Sequence, residues 1–227
     1  MMVTLAMTAA VENAQSDTGK LDFSRIVSIG GDVTEILYAL GLESHVVAVD
    51  TTSVYPAAAL QTKKNVGYMR ALSTEGVLAL SPSVIIAAED AGPPEVVGAL
   101  KQSPVPFVTI GGPDTPAGTE QRIRAVASAV GASEKGEQLA ADVRQRYESL
   151  KRKREAIGER PRVLFLLSVQ NGRATAGGSG TAANEVIALA GGQNVVTGFE
   201  GYKPLSDEAA IELAPQIILV MKRSQQP

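Results

Sequence analysis

Tyrosine, arginine and glycine fall together in one irregular stretch, and these are the residues best suited to holding a ligand. In DTTSVYPAAALQTKKNVGYMRALSTEG, from Asp50 to Gly76, lie Tyr55 and Tyr68, two of the chain's five tyrosines. Gly67 precedes Tyr68 and Arg70 follows two residues later. Glycine allows the sharp backbone turn that presents a ring at a loop surface. A phenol ionises at about pH 10, and a neighbouring guanidinium or ferric ion favours the phenolate. Phenolate oxygen serves as an axial ligand of ferric haem in some proteins. The same spacing also suits a Tyr68 that only packs at the base of its loop.

Composition removes many competing chemistries. The 227 residues contain no Cys, no Trp and one His, His45, with four Phe and five Tyr. Without Cys there are no disulfides, thiolate zinc sites, iron–sulfur ligands or cysteine nucleophiles. One His excludes HExxH sites and any centre needing two imidazoles, and leaves a Ser-His-Asp triad with a single candidate. His45 follows a helix stop beside Glu43 and Ser44, which reads as a loop histidine facing solvent. With 21 basic and 24 acidic residues the net charge is −3, so nothing favours nucleic acid as a partner. Gly178, Gly180 and Ala183 match G-x-G-x-x-A, with Glu200 about 20 residues on, but QNGRATA separates them from the preceding strand where that motif needs a tight turn. No P-loop occurs, and Ser179 fails G-x-S-x-G because Thr181 holds the final position. The expectation is a protein without catalytic residues.

The elements that would position Tyr68 alternate strand and helix. RIVSIG (25–30) reads as a buried strand, followed by a helix from Asp32 with Asp32 and Glu35 at capping-box spacing and Gly41 as its stop. VVAV (46–49), VIIAA (84–88) and PFVTI (106–110) read as further strands, with helices from Ser73, over 94–101 and over 120–130. This pattern predicts a parallel α/β sheet whose strand carboxyl ends carry the ligand loops. From Ser133 to Gly158 apolar residues recur at helical spacing along a charged segment, a helix of about 35 Å at 1.5 Å per residue. KRKR (151–154) reads as its solvated face. After Pro161 come the strand RVLFLLSV, a Gly-rich loop, a helix over 181–190, and a last helix leading into IILVM. At 227 residues the chain exceeds a typical single core of about 100 to 150. The expected organisation is a signal-like start (1–22), a first lobe (23–132), a linking helix (133–158) and a second lobe (159–227). The start, MMVTLAMTAAVENAQS, has the apolar, small-residue character of a secretory signal without its positive beginning, so export is expected.

An internal repeat supports two lobes of like design. LSTEGVLALSPSVIIAAE (72–89) recurs as LSDEAAIELAPQIILVMK (205–222), each copy a Ser-capped helix, a Pro break and a buried strand. A weaker echo sets GDVTEILYALGLESHVV (31–47) against GTAANEVIALAGGQNVV (180–196). Two facing lobes create a cleft, where ligand sites concentrate, and one linking helix restricts closure.

DTTSVYP, NVGYMRALSTEGVLALSP, GPPEV, RPRVLFLLS, AGGSGTAANEVIALAGGQNVV and GYKPLSDEAAIELAPQIILVM together resemble the periplasmic haem-binding proteins of bacterial ABC importers. The resemblance runs from about Phe23 to Met221 and places the chain among cobalamin and ferric-siderophore binding proteins. It implies two Rossmann-like α/β lobes joined by a long rigid helix, and a monomer in the periplasm. The implied cargo is haem b, held in the inter-lobe cleft and delivered to an inner-membrane permease, with a siderophore or cobalamin as the alternative. By position, Tyr68 becomes the axial ligand to haem iron, and Arg70 a cation for the phenolate or a propionate. Tyr55 joins the site, Val54 and Met69 cover the porphyrin, and Tyr202 and Lys203 of GYKP stand on the opposite wall with Arg173. Glu75 and Glu208 become the pair that docks onto the permease, although an acidic residue in a helix's first turn is favoured anyway. Family members continue beyond the strand matching IILVM, so an incomplete second lobe with uncovered apolar surface is expected.

Overall fold

The computed structural model describes residues 21–170 and 172–221, so the signal-like start and the KRSQQP end lie outside the described residues. Ten elements make the first lobe. They are β1 (Ile26–Ile29), α1 (Gly31–Ala39), β2 (Val46–Val49), α2 (Ala58–Thr62), β3 (Lys64–Asn65), α3 (Thr74–Leu78), β4 (Val84–Ala88), α4 (Pro94–Gln102), β5 (Phe107–Ile110) and α5 (Pro116–Ala129). The strands form one sheet in the order β3-β2-β1-β4-β5, every pair parallel. β1 and β4 are buried along their whole length, as unbroken apolar runs must be when helices cover both faces. Two helix starts differ from expectation. α1 begins one residue before Asp32, at an N-cap (Gly30, φ 112°) with no side chain to cap with, so no capping box forms. α5 starts at Pro116, where Thr115 Oγ1 accepts from the Gly118 amide at 3.1 Å and proline fits the first helical position.

The second sheet is mixed. It comprises β6 (Arg162–Gln170), β7 (Arg173–Gly177), β8 (Gln193–Asn194), β9 (Tyr202–Leu205) and β10 (Ile217–Val220), with α7 (Ala182–Leu189) and α8 (Asp207–Glu212) between them. β8 and β10 run parallel to β6, whereas β7 is antiparallel to both β6 and β9. The expected Gly-rich loop after β6 is therefore half strand. Gln170 pairs with Arg173 across the sequence Asn-Gly, the residue pair that favours two-residue hairpins, and RATAG continues the ladder.

Between the sheets runs α6 (Ser133–Glu155), 23 residues and so about 35 Å long. Its first half is fastened to α5. Gly136 approaches Ala127 so closely that a Cβ there would lie 2.3 Å from the Ala127 methyl. Glu120 bonds Arg144 Nε at 3.1 Å and Arg124 Nη2 at 3.3 Å, and Arg124 reaches on to Glu137 at 2.9 Å. At its other end Arg154 donates to the Ala188 carbonyl of α7 at 3.0 Å. Lys151, Arg152 and Lys153 are exposed, as the charge run implied.

The repeat is a repeat of hydrogen bonds as well as of residues. Ser73 and Ser206 cap α3 and α8 through their hydroxyls. Each helix is followed by a residue with positive φ directly before a proline, Ser81 at 48° and Ala214 at 42°. Arg25, just before β1, donates to Leu80 O (2.6 Å) and Ser81 O (2.9 Å) at the end of α3. Arg162, at the start of β6, donates to Leu213 O (2.5 Å) and Ala214 O (3.3 Å) at the end of α8. Their backbones are tied by matching pairs: Ser83 and Gln216 each donate an amide to the arginine carbonyl and accept its amide through a side-chain oxygen. A cation on the free carbonyls of a helix carboxyl end complements the helix dipole. The copies part company at the strand. β4 lies between β1 and β5 and is buried, while β10, among the described residues, pairs with β6 alone and leaves Ile217 to Val220 41 to 58% exposed.

Candidate ligand site

The site begins with a buried carboxylate. Asp50, fully buried at the end of β2, accepts from the Gly30 amide (2.8 Å) and Ser53 Oγ (3.2 Å) on one oxygen. Its other oxygen accepts from the Thr52 amide (2.8 Å) and Thr52 Oγ1 (2.7 Å). Ser53, Thr34 and Ser28 extend this into a chain of buried hydroxyls beneath the strand ends. Four bonds compensate the desolvation of one buried charge and fix the turn after β2.

That turn holds the Tyr68 loop. Thr51 donates its amide to Gly67 O at 2.9 Å, and the Gly67 amide bonds Asn65 Oδ1 at 2.7 Å. Gly67 has φ 89°, the left-handed conformation that glycine adopts without strain. On the far side Gly92 N donates to Met69 O (2.9 Å) and Leu72 N to Gly92 O (3.0 Å). Tyr68 is thus held by backbone bonds at the carboxyl ends of the parallel strands, its ring 44% exposed. Arg70 Nη1 lies 3.2 Å from Tyr68 Oη, and Nη2 is ion-paired with Asp90. The Asp90 hydrogen bond and charge, with Tyr68 after them, hold the guanidinium above its ordinary pKa.

Beside this cluster opens a cavity of about 610 Å³ whose walls include Met69, Thr52, Ile110 and the carboxylates of Asp32, Glu89, Asp90 and Asp114. Its one guanidinium, Arg122, is held by Asp32 (3.4 Å), Asp114 (3.5 Å) and the Gly112 carbonyl (2.7 Å). Among the described residues no group of three His, Asp or Glu is placed to hold a metal ion, and no helix is long and apolar enough to cross a membrane.

Other residues singled out in the sequence are scattered. Tyr55 lines a separate groove between α1, α2 and α6 with Tyr38, Glu43, Asp142 and Arg146, so it is not brought to the cavity beside Tyr68, whose walls include Met69 and Asp90 but neither Tyr68 nor Arg70. Met69 is 7% exposed and belongs to the core, its carbonyl and its thioether (accepting from Thr52 Oγ1 at 3.8 Å) both tying the loop down, while Val54 is 63% exposed. Tyr202 and Lys203 are consecutive on β9 and so point to opposite faces of the sheet. Tyr202 tilts against Phe165 at 6.4 Å, and Lys203 Nζ sits 5.7 Å over the Phe199 ring. Arg173 is exposed at the hairpin end of β7, four residues and roughly 13 Å of strand from the Gly177–Tyr202 pair. His45 is half-buried against Phe23, 6.2 Å between ring centres, rather than facing solvent. Glu75 and Glu208 stand exposed in equivalent first turns of α3 and α8. The Glu208 carboxyl lies below its usual range because its own backbone amide and the Ser206 hydroxyl hydrogen-bond it.

The glycine pattern follows a strand after all, since β7 ends at Gly177. It still makes no dinucleotide turn. β7 is antiparallel to its neighbours, and a Cβ on Gly178 would lie 2.1 Å from Phe199 O, so that glycine serves close packing against the 197–201 loop. Asp50, Asp90, Arg25 and Arg162 had no assigned role in the sequence. Asp50 and its flanking hydroxyls had one available signal, an acid at the carboxyl end of a buried strand.

Residues 26–227 match the protein family described as periplasmic binding protein. The chain is 26% identical over 208 residues to the uncharacterised ABC transporter substrate-binding lipoprotein YvrC of Bacillus subtilis, covering 90% of this chain and 66% of that protein. It is 32% identical over 203 residues to the vitamin B12-binding protein of Vibrio cholerae serotype O1, covering 88% and 71%. The solved periplasmic heme-binding protein RhuT from Roseiflexus sp. RS-1, in apo form, superposes with a TM-score of 0.84 at 38% identity, over 88% of this chain and 76% of that one. The chain therefore spans about two thirds to three quarters of the length of these proteins.

Proposed function

The chain belongs to the periplasmic binding protein family, and from that premise we propose that it captures ferric haem and delivers it to an ABC permease, without catalysing a reaction. One observation carries the choice of cargo: a half-exposed phenol on a tightly bonded loop, with a guanidinium 3.2 Å from its oxygen. Arg70 donates to the phenol oxygen, and an anionic oxygen ligand prefers ferric over ferrous iron. Tyr68 is the iron ligand in this reading. Lys203 and Arg173, exposed cations of the second lobe, meet the propionates, and Glu75 and Glu208 meet basic sockets on the permease. The likeness to RhuT at 38% identity supports haem.

The 32% identity to a vitamin B12-binding protein favours a second reading, a corrinoid held by the same lobes. A corrinoid needs no phenolate. Parallel titrations with haemin and cyanocobalamin, followed by absorbance, separate the two. Haem capture predicts saturable haemin binding that Tyr68→Phe weakens and no cobalamin binding, whereas cobalamin binding indifferent to Tyr68→Phe would select the corrinoid.

A further inference from the structure

Arg70 is shared between two partners that lie on different loops. Asp90 follows β4, and its carboxylate takes Nη2 of the guanidinium while Nη1 faces the Tyr68 oxygen at 3.2 Å. The two loops are laced by backbone bonds on either side, Gly92 N to Met69 O and Leu72 N to Gly92 O, so the three side chains are brought together by the fold and not only by the ion pair. Arg70 and Asp90 are 56% and 50% exposed, and pairs so open to water contribute little to folding. The planar guanidinium presents its donors in a fixed fork, so a carboxylate on one edge fixes what the other edge faces. Of the three, Asp90 alone also lines the adjoining cavity, with Asp32, Glu89 and Asp114 and the Arg122 guanidinium that pairs with Asp32 and Asp114.

We propose that Asp90 is a positioning residue of the ligand site: it aims Arg70 at the Tyr68 phenol and, by occupying the cation's other edge, keeps the ligand's own carboxylates off it. The inference rests on Tyr68 as iron ligand and makes that reading more specific. A ligand carboxylate reaching that edge of Arg70 has to displace Asp90, so the propionates are directed to cations elsewhere. Sharing its charge with Asp90, Arg70 withdraws less electron density from the phenol oxygen, which leaves a stronger donor for ferric iron, as partners of metal ligands generally do.

The test compares haemin with haemin dimethyl ester, which lacks free propionates, at one pH. Both are titrated into wild type, Asp90→Asn, Asp90→Glu, Arg70→Ala and Tyr68→Phe, with the ferric absorption spectrum recorded for each. Arg70→Ala is expected to discriminate between the two probes as wild type does. Asp90→Asn frees Arg70 for a propionate, so preference for haemin over its ester rises several-fold and the ferric charge-transfer band shifts. Asp90→Glu, which restores the carboxylate, returns both towards wild type. Wild-type spectrum and discrimination in Asp90→Asn would overturn the proposal, as would an Arg70→Ala that loses haemin while keeping the ester. A Tyr68→Phe protein with an unchanged spectrum refutes the iron-ligand reading itself, and Asp90's proposed task with it.

Discussion

Tyr68 and Asp50 belong to the same loop scaffold and should fail differently. The Tyr68 ring is half exposed and its hydroxyl, among the described residues, meets only Arg70, so Tyr68→Phe should change the unfolding free energy of the ligand-free protein by less than about 0.5 kcal/mol. The same change should cost haemin affinity roughly tenfold or more, equivalent to ~1.4 kcal/mol. Asp50→Ala leaves four donors without their acceptor in a buried turn and should destabilise the protein by about 3 kcal/mol in urea unfolding, with binding lost alongside. Tyr68 was legible because Gly67 and Arg70 are its sequence neighbours. Asp90 was not, since it lies 20 residues on and its meaning depends on two loops meeting. That Tyr55 lines another groove, and that Tyr202 and Lys203 face opposite ways, was hidden for a related reason. Proximity in sequence says nothing about which groove a loop lines, and adjacent residues on a strand face opposite ways.

Each lobe ties a strand start to a helix end with one arginine. Arg25→Ala or Arg162→Ala removes two hydrogen bonds to helix carbonyls, and each should lower stability by about 1–2 kcal/mol, seen as a lower urea midpoint at unchanged slope. The α5–α6 junction should respond to acid. Arg144, then Arg124, hold the Glu120 carboxyl below its usual range. Its contribution is present above the unfolded glutamate value and lost as pH falls through the lower folded value. Wild type should therefore exceed Glu120→Gln in stability at neutral pH, with the difference shrinking on acidification. An equal difference at pH 7 and pH 3 would contradict this. The elements themselves were largely readable. Apolar runs gave β1, β2, β4, β5 and β6 within a residue or so, and charged helical spacing gave α6. The antiparallel β7 and β9 were not, because RATAG and YKPL carry too few branched or aromatic residues to read as strands, and pairing with each other completes them. The repeat showed the two helix–strand units, but burial of β10 does not follow from its likeness to β4, since burial depends on what lies on each side.

At the scale of the molecule, a parallel sheet and a mixed sheet joined by one long helix place Glu75 and Glu208 on equivalent exposed turns. If they dock onto a permease, a Glu75→Ala, Glu208→Ala protein should bind haemin like wild type and fail to support uptake in cells carrying the cognate importer; uptake at the wild-type rate would assign the two acids to helix starts alone. Everything at this scale presupposes the cargo, and the most direct measurement is the resonance Raman spectrum of the ferric haemin complex. Tyr68 as iron ligand predicts phenolate modes in wild type that vanish in Tyr68→Phe and remain in Tyr202→Phe. Phenolate modes that survive Tyr68→Phe, or a wild-type spectrum without them, would contradict it.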